Sequence, residues 1–422
     1  MPSPRVSSLQ TCQGFYVGKP SPDIDRLLSP VSQSAVASGR NEQARQITDW
    51  VGRFGKAYWP AGDGPTCIDL FAGCGGLSLG FRAAGFRVIA AAETDSVAAK
   101  TYHRNFPAVK LLSSGDRLTG DVEQIATSQV LSACPDALAN LGMIIGGPPC
   151  QGFSHMGYRQ VLDPRNTLYK HFVRLVRELR PAAFLFENVP GMKSMDDGRV
   201  FTDFMSSLQV EELGYSAHVF AISAAKYGVP QLRERLFVAG MRDKTEIHLV
   251  DGQLSASQYV TVTDALCDLP ADLSEVSTEK VCDLPYASEP CSVFSQLLRG
   301  CSEVVKNSRP TKHGVELKQR LAGLVPGETE PSTKHRRLKP DAPAWTLRAG
   351  TRTRTACRPI HPTQPRVITV REAARLGSFP DEFWLPDEKA PAHMLIGNSV
   401  PPLLAYHLAL QLAAQVFARE PD

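Results

Sequence analysis

The sequence predicts an α/β fold: a doubly wound, mostly parallel sheet covered by helices on both faces, with a smaller irregular region attached. Three observations carry this expectation. Short apolar runs recur at Cys67 to Phe71, Val88 to Ala92, Met143 to Ile145, Ala183 to Phe186 and Leu236 to Ala239. They alternate with stretches of helical period, beginning with Leu77, Leu79, Phe81 and Ala84 behind the glycine turn Gly73-Cys74-Gly75-Gly76. Between about residues 245 and 340 that regularity gives way to a Ser-, Pro- and Cys-containing segment. Continuous apolar runs suit strands buried on both faces, which a parallel sheet with crossover helices requires.

The elements follow in order. Residues 1–65 form an N-terminal arm rich in Ser, Pro and Gln, with one short amphipathic helix expected over Ile47, Val51, Phe54 and Tyr58 and ended by Pro60 and Gly62. A helix-turn-helix needs a second packed helix that this pattern does not supply. Residues 66–244 and 366–422 are expected to share the sheet domain, and 245–365 to form a second lobe. The last part of that lobe carries Lys306, Arg309, Lys312, Lys318, Arg320, Lys334, Arg336, Arg337 and Lys339 with few acids between them. Such a cluster is either a solvated face or a phosphate-binding surface. From Arg366 the pattern is regular again, passing through Val367-Ile368-Thr369-Val370 into a helix over Arg371 to Leu376, and a last apolar helix follows Pro401-Pro402.

Bulk composition excludes little. The 46 Lys and Arg against 43 Asp and Glu leave a formal charge of +3, too mild to announce a nucleic-acid partner, so any basic surface must be local. No apolar stretch reaches the roughly 20 residues needed to cross a bilayer, and the start has no secretory apolar core, so an intracellular protein without a membrane partner is expected. The ten cysteines are irregularly spaced with no CxxC pair, so free thiols and no metal site are expected.

The turn from Asp69 to Gly80 serves either tight packing or a nucleotide-like ligand approaching the helix amides. Glu93 favours the second, because an acid at the end of the next strand can accept two ribose hydroxyls. No GxxxxGK[ST] signature accompanies it, so a ligand with ribose and no pyrophosphate fits best, which describes S-adenosylmethionine. The strand at Met143 ends in Gly146-Gly147-Pro148-Pro149-Cys150-Gln151-Gly152-Phe153-Ser154, where two prolines and flanking glycines present the thiol instead of packing it. Glu187 closes the next strand at the same sheet edge, as either a loop tether or a proton carrier. Gln231-Leu232-Arg233-Glu234-Arg235 offers two guanidinium groups on one face of an extended segment.

These residues carry a resemblance. Asp69 to Gly76, Gly147 to Ser154, Glu187-Asn188-Val189, Gln231 to Arg235, and Gly397-Asn398-Ser399-Val400-Pro401-Pro402 resemble, in order, the motif series of cytosine-C5 DNA methyltransferases of the bacterial restriction-modification type. The resemblance covers about 65 to 412 outside the insert and departs from the pattern at Gly377, where the family usually carries Gln. It implies a Rossmann-like S-adenosylmethionine-dependent methyltransferase fold. It also implies Cys150 as covalent nucleophile at cytosine carbon 6, Glu187 at ring N3, and Arg235, with Arg233, at the O2 side. Asp69, Phe71, Gly73, Gly75, Glu93, Asp121, Pro148 and Asn398 are the implied cofactor-binding residues, with Phe71 and Asp121 at adenine, Glu93 at ribose and Asn398 at the methionine end. The implied partner is double-stranded DNA with its target cytosine flipped out, the insert being the target-recognition region. A monomer in the bacterial cytoplasm, associated with the nucleoid and paired with a separately acting endonuclease, is expected. Two alternatives remain: a transfer-RNA methyltransferase, whose Cys-Phe-Thr signature is not found here, and an inactive DNA-binding regulator.

Overall fold

The computed structural model describes residues 64–113, 118–133, 135, 141–149, 167–209, 213–243, 245–279, 283–349 and 358–417. The expected N-terminal helix and Cys150 lie outside the described residues.

Eight strands lead the architecture: β1 (Thr66–Leu70), β2 (Arg87–Ala92), β3 (Lys110–Leu111), β4 (Met143–Gly146), β5 (Ala183–Asn188), β6 (Ser216–Ser223), β7 (Gln231–Leu232) and β8 (Glu234–Met241). Seven form one sheet in the order β3-β2-β1-β4-β5-β8-β6. The first five run parallel, and β8 runs antiparallel to both β5 and β6. The expected runs at 67, 88, 143, 183 and 236 are all strands. The sequence reading missed both edge strands: β3, only two residues long, and β6, whose Ser216, His218 and Ser223 break the apolar run that marks a strand buried on both faces.

Strand order reverses between β1 and β4, which opens a crevice at their carboxyl ends. One sheet face is covered by helix Gly76–Ala83 and helix Pro402–Val416, the other by Leu168–Leu179 and Arg199–Leu208. On the second face Phe186 and Phe204 stack with ring centroids 4.2 Å apart. On the first, Gly80 lets two helices touch, since a Cβ there would lie 2.4 Å from Ala405 Cβ and 2.5 Å from the Tyr406 nitrogen. The last helix therefore returns to pack on the first.

The intervening region is built of short pieces: helices Val262–Leu266, Val293–Arg299 and Val315–Ala322, an antiparallel pair β9 (Leu284–Pro285) and β10 (Val304–Val305), and β11 (Ala344–Trp345), which runs parallel beside β7. It is bolted to helix Val370–Leu376 by charge. Arg375, fully buried, donates to both oxygens of Asp268 at 3.0 and 3.1 Å and to both of Asp381 at 2.7 and 2.6 Å. Tyr286 donates to the same Asp381. Charges this deep are tolerable only when so completely paired.

One expectation is overturned. Cys267 and Cys291 form a disulfide, whereas Cys67 and Cys74 are buried free thiols. Their separation of 24 residues hides the pairing in the sequence. Space brings them together because Cys267 ends one helix while Cys291 precedes Ser292, the N-cap of the next, and Ser292 Oγ donates to the Asp264 carbonyl at 2.6 Å.

Candidate active site

Glu187 sits next to the end of β5 with only 8% of its surface exposed. Its Oε1 lies 2.9 Å from Arg235 Nε, the second residue of the neighbouring antiparallel strand. Burial pushes the Glu187 carboxyl above its usual range, while Arg235 and then Arg233 pull it back. A carboxyl so placed can hold a proton at a higher pH than a surface glutamate and still be recharged by its partner. Its Oε2 presses on the β4 loop, where a Cβ at Gly147 would come within 2.7 Å. Asn188 Nδ2 donates to the Pro148 carbonyl at 3.4 Å and ties that buried proline to the same strand end. Three residues of chain, at most about 11 Å of reach, separate Gly147 from Cys150.

The two arginines have different surroundings. Arg233 is 1% exposed, and its guanidinium donates to the carbonyls of Gly397 at 2.9 Å, Leu347 at 3.3 Å and Asn398 at 3.4 Å. Gln231 works beside it, donating to the Leu376 carbonyl at 3.2 Å and accepting from the Leu347 nitrogen at 3.0 Å. The segment therefore staples three distant stretches of chain together, and Arg235 is the arginine that faces the Glu187 carboxylate.

On the other side of the crevice, Asp69, the residue before the end of β1, is fully buried. Its Oδ2 accepts from Ser78 Oγ at 2.7 Å, and Ser78 shares a 2.7 Å hydrogen bond with the Tyr102 hydroxyl. Oδ1 has no hydrogen-bond partner among the described residues. Burial pushes the Asp69 carboxyl up to about 7, the Ser78 bond opposing it. Phe71 follows in a left-handed conformation (φ 59°), which costs about 1–3 kcal/mol and turns the chain sharply into the glycine loop. Gly73 faces open space, since a Cβ there would meet nothing within 4 Å. Gly75 is crowded, with Phe106 2.3 Å from where its Cβ would stand.

Glu93 closes the loop, accepting from the Gly73 nitrogen at 2.7 Å and the Asp95 nitrogen at 2.8 Å, and keeping further lone pairs for a ligand. Gly120 donates to the Glu93 carbonyl at 2.8 Å, which brings Asp121 alongside. Asn398 is exposed at the end of helix Lys389–Asn398, and Ser399 Oγ packs where a Gly76 Cβ would be. Burial pushes the nearby Cys74 thiol up to about 12, so it stays protonated.

The expected site residues thus gather in two groups: Glu187, Arg235 and Pro148 about the β4–β5 edge, and Asp69, Phe71, Gly73, Gly75, Glu93 and Asp121 about the β1–β2 edge. Arg233 and Asn398 join through the Asn398 carbonyl. Ser78 and Tyr102 were missed. A serine between Leu77 and Leu79 on the buried first turns of helix Gly76–Ala83 was the available signal. An unpartnered buried carboxylate oxygen, open space at Gly73 and a second carboxylate beside the loop suit a cationic ligand bearing hydroxyls, which fits S-adenosylmethionine.

The basic cluster divides. Arg337 is buried, donating to the carbonyls of Leu321, His361, Pro362 and Gln364; Arg320 pairs with Glu330; Arg309 donates to the Glu279 and Asp387 carbonyls. Lys306, Lys312, Lys318, Lys334, Arg336 and Lys339 are exposed.

The family model of C-5 cytosine-specific DNA methylases matches residues 65–414. The chain is 36% identical over 362 residues to the type II methyltransferase M.XorII of Xanthomonas oryzae pv. oryzae, covering 81% of this chain and 82% of that one. It is 32% identical to M.AgeI of Thalassovita gelatinovora, covering 81% and 97%. A solved DNA modification methyltransferase encoded within an E. coli prophage superposes with a TM-score of 0.71 at 31% identity, over 84% of this chain and 100% of that one. No helix among the described residues is long and apolar enough to cross a membrane. The chain belongs to the C-5 cytosine-specific DNA methylase family and is a methyltransferase acting on carbon 5 of cytosine in DNA, with S-adenosylmethionine as methyl donor.

Proposed function

We propose that the two groups of residues act as one site in which Cys150 adds to cytosine carbon 6 while Glu187 protonates or holds ring N3. The single observation that supports this most is the buried Glu187–Arg235 pair, packed on Gly147 three residues before Cys150. Carbon 5 of cytosine is a weak nucleophile until carbon 6 is bonded to a thiolate, which gives the ring enamine character. Glu187 keeps the ring from accumulating negative charge, and Arg235 holds the carboxylate in place and lies toward the base O2. Asp69, Phe71, Gly73, Glu93, Asp121 and Asn398 hold S-adenosylmethionine, which supplies the methyl group when bound. Loss of the carbon 5 proton and departure of Cys150 then release the product. The base must leave its stack to enter, at a cost of a few kcal/mol.

The same reading assigns residues 66–244 and 366–422 to catalysis and 245–365 to target recognition. It also makes the chain a monomeric bacterial cytoplasmic enzyme, at the nucleoid through its DNA, guarding that DNA against a cognate endonuclease. Labelled S-adenosylmethionine offered with duplex DNA and with transfer RNA tests it. Label in DNA at a defined short sequence is expected, and label confined to transfer RNA would overturn the assignment.

A further inference from the structure

We infer that Arg336 is a sequence-reading residue, presenting its guanidinium fork to a guanine within the methylated site. The inference rests on the proposed target-recognition role of residues 245–365 and names where that role is exercised.

Arg336 belongs to a tight turn-and-return segment held by backbone bonds at both ends: Gly327 nitrogen to Arg337 carbonyl at 2.9 Å, Arg337 nitrogen to Glu328 carbonyl at 2.8 Å, and Glu330 nitrogen to His335 carbonyl at 2.7 Å. The tip is wound round the buried Glu330 carboxylate, which accepts from Ser332, from Thr333 through both its nitrogen and its hydroxyl, and from Arg320. Side chains alternate in this segment. His335 and Arg337 point inward, and the Arg337 guanidinium on four carbonyls anchors it, while Lys334 and Arg336 are exposed.

The exposed Arg336 side chain is nonetheless fixed. Nε donates to the Gly327 carbonyl at 2.8 Å, and the guanidinium carbon stands 3.6 Å from the centroid of the Trp345 ring. Nη1 and Nη2 have no partner among the described residues. A surface arginine that only interacts with solvent gains nothing from losing its rotamer freedom, whereas one whose Nε and one face are engaged offers a planar, preset fork. Two parallel N–H groups in one plane match the N7 and O6 acceptors of guanine in the major groove. Lysines such as Lys334 carry no such geometry and suit phosphates.

Position supports the assignment. Trp345 lies in β11, which pairs with β7 in the register Trp345 to Leu232, and Thr346 Oγ1 donates to the Leu232 carbonyl at 2.6 Å. Leu232 precedes Arg235 by three residues, at most about 10 Å of chain, and paired strands lie about 4.8 Å apart. Arg336 is thus joined by one strand pair to the Glu187–Arg235 end of the site, on the order of 10–20 Å away. That distance corresponds to roughly three to six stacked base pairs, the scale of a short recognition sequence.

The test uses the full chain and a library of duplexes randomised around one cytosine. The wild type is expected to methylate a defined site containing guanine; if its label enters no DNA, the function reading fails and this inference with it. Given a wild-type site, Arg336→Ala and Arg336→Gln should lower kcat/KM on it by about ten- to a hundredfold and relax the preference at one guanine-containing pair, with S-adenosylmethionine affinity unchanged. Should turnover vanish, competition binding with duplexes altered one pair at a time reads the same discrimination. Trp345→Phe keeps an aromatic face and should preserve the preference. Binding weakened equally on every sequence, with the salt dependence reduced by about one phosphate contact and the preference intact, would make Arg336 a backbone clamp and overturn the inference. Unchanged rate and preference would overturn it equally.

Discussion

Glu187 and Arg235 meet at 2.9 Å across the β5–β8 pair, each nearly enclosed, and they set the proton affinity of the site between them. Burial raises the carboxyl and Arg235 is the strongest of the charges lowering it. Removing Arg235 therefore lets the Glu187 pKa climb further. In Arg235→Gln the alkaline limb of kcat/KM against pH, where protonated Glu187 is lost, should move upward, and the maximum should fall by about 10²–10³-fold. A depressed profile with both limbs in place would separate Arg235 from the titration of Glu187.

Arg233 should behave as a structural residue. Truncation to Ala leaves the carbonyls of Gly397, Leu347 and Asn398 without their charged donor, at a cost of about 2–4 kcal/mol in unfolding free energy. Denaturant titration of Arg233→Ala against Arg235→Ala measures this, and the larger stability loss is expected at 233.

Asp69 ties stability to pH. Its carboxyl, fully buried with Oδ1 unpartnered, is pushed from an ordinary 3.8 up to about 7. A raised folded-state value means that the folded chain binds more protons than the unfolded one between these limits. The contribution is therefore complete below about pH 4 and lost as pH rises through 7. The loss is about 4 kcal/mol in the ligand-free protein. The difference in unfolding free energy between wild type and Asp69→Asn should fall across that window, and a flat difference would contradict it.

The Cys267–Cys291 disulfide closes a loop across 24 positions of chain and should contribute about 3 kcal/mol to the insert. Reductant should lower the thermal midpoint of the wild type and leave that of Cys291→Ser unmoved. Equal sensitivity of the two proteins would remove the disulfide from the account.

The parallel strands β1, β2, β4 and β5 were legible because each is an apolar run, largely buried, and the carboxylates Glu93 and Glu187 at the ends of β2 and β5 followed from that placement. The β6 edge strand was not, because half-exposed strands mix polar residues into the run. Glu187 and Glu93 could be named from position alone, and Asp69 only through the resemblance. The division of labour between Arg233 and Arg235 could not, since alternation shows that both leave one face but not that one meets buried carbonyls from residues 347, 397 and 398. The basic cluster hid the same distinction. Arg337 and Arg336 are neighbours of identical chemistry, yet one is an internal anchor and the other an exposed, preset fork. Charge counts carry no information about which carbonyls lie nearby, and cysteine spacing none about which helix ends converge.

The central claim is that Cys150 bonds to cytosine carbon 6, and a duplex carrying 5-fluorocytosine at the target tests it directly. Fluorine cannot leave as a proton does, so after methyl transfer the adduct cannot collapse. With S-adenosylmethionine present, the wild type should give a denaturation-resistant protein–DNA complex whose tryptic peptide carries the nucleotide on Cys150, and Cys150→Ser should give none while still binding S-adenosylmethionine. A trapped complex or near-normal turnover from Cys150→Ser would contradict the covalent route.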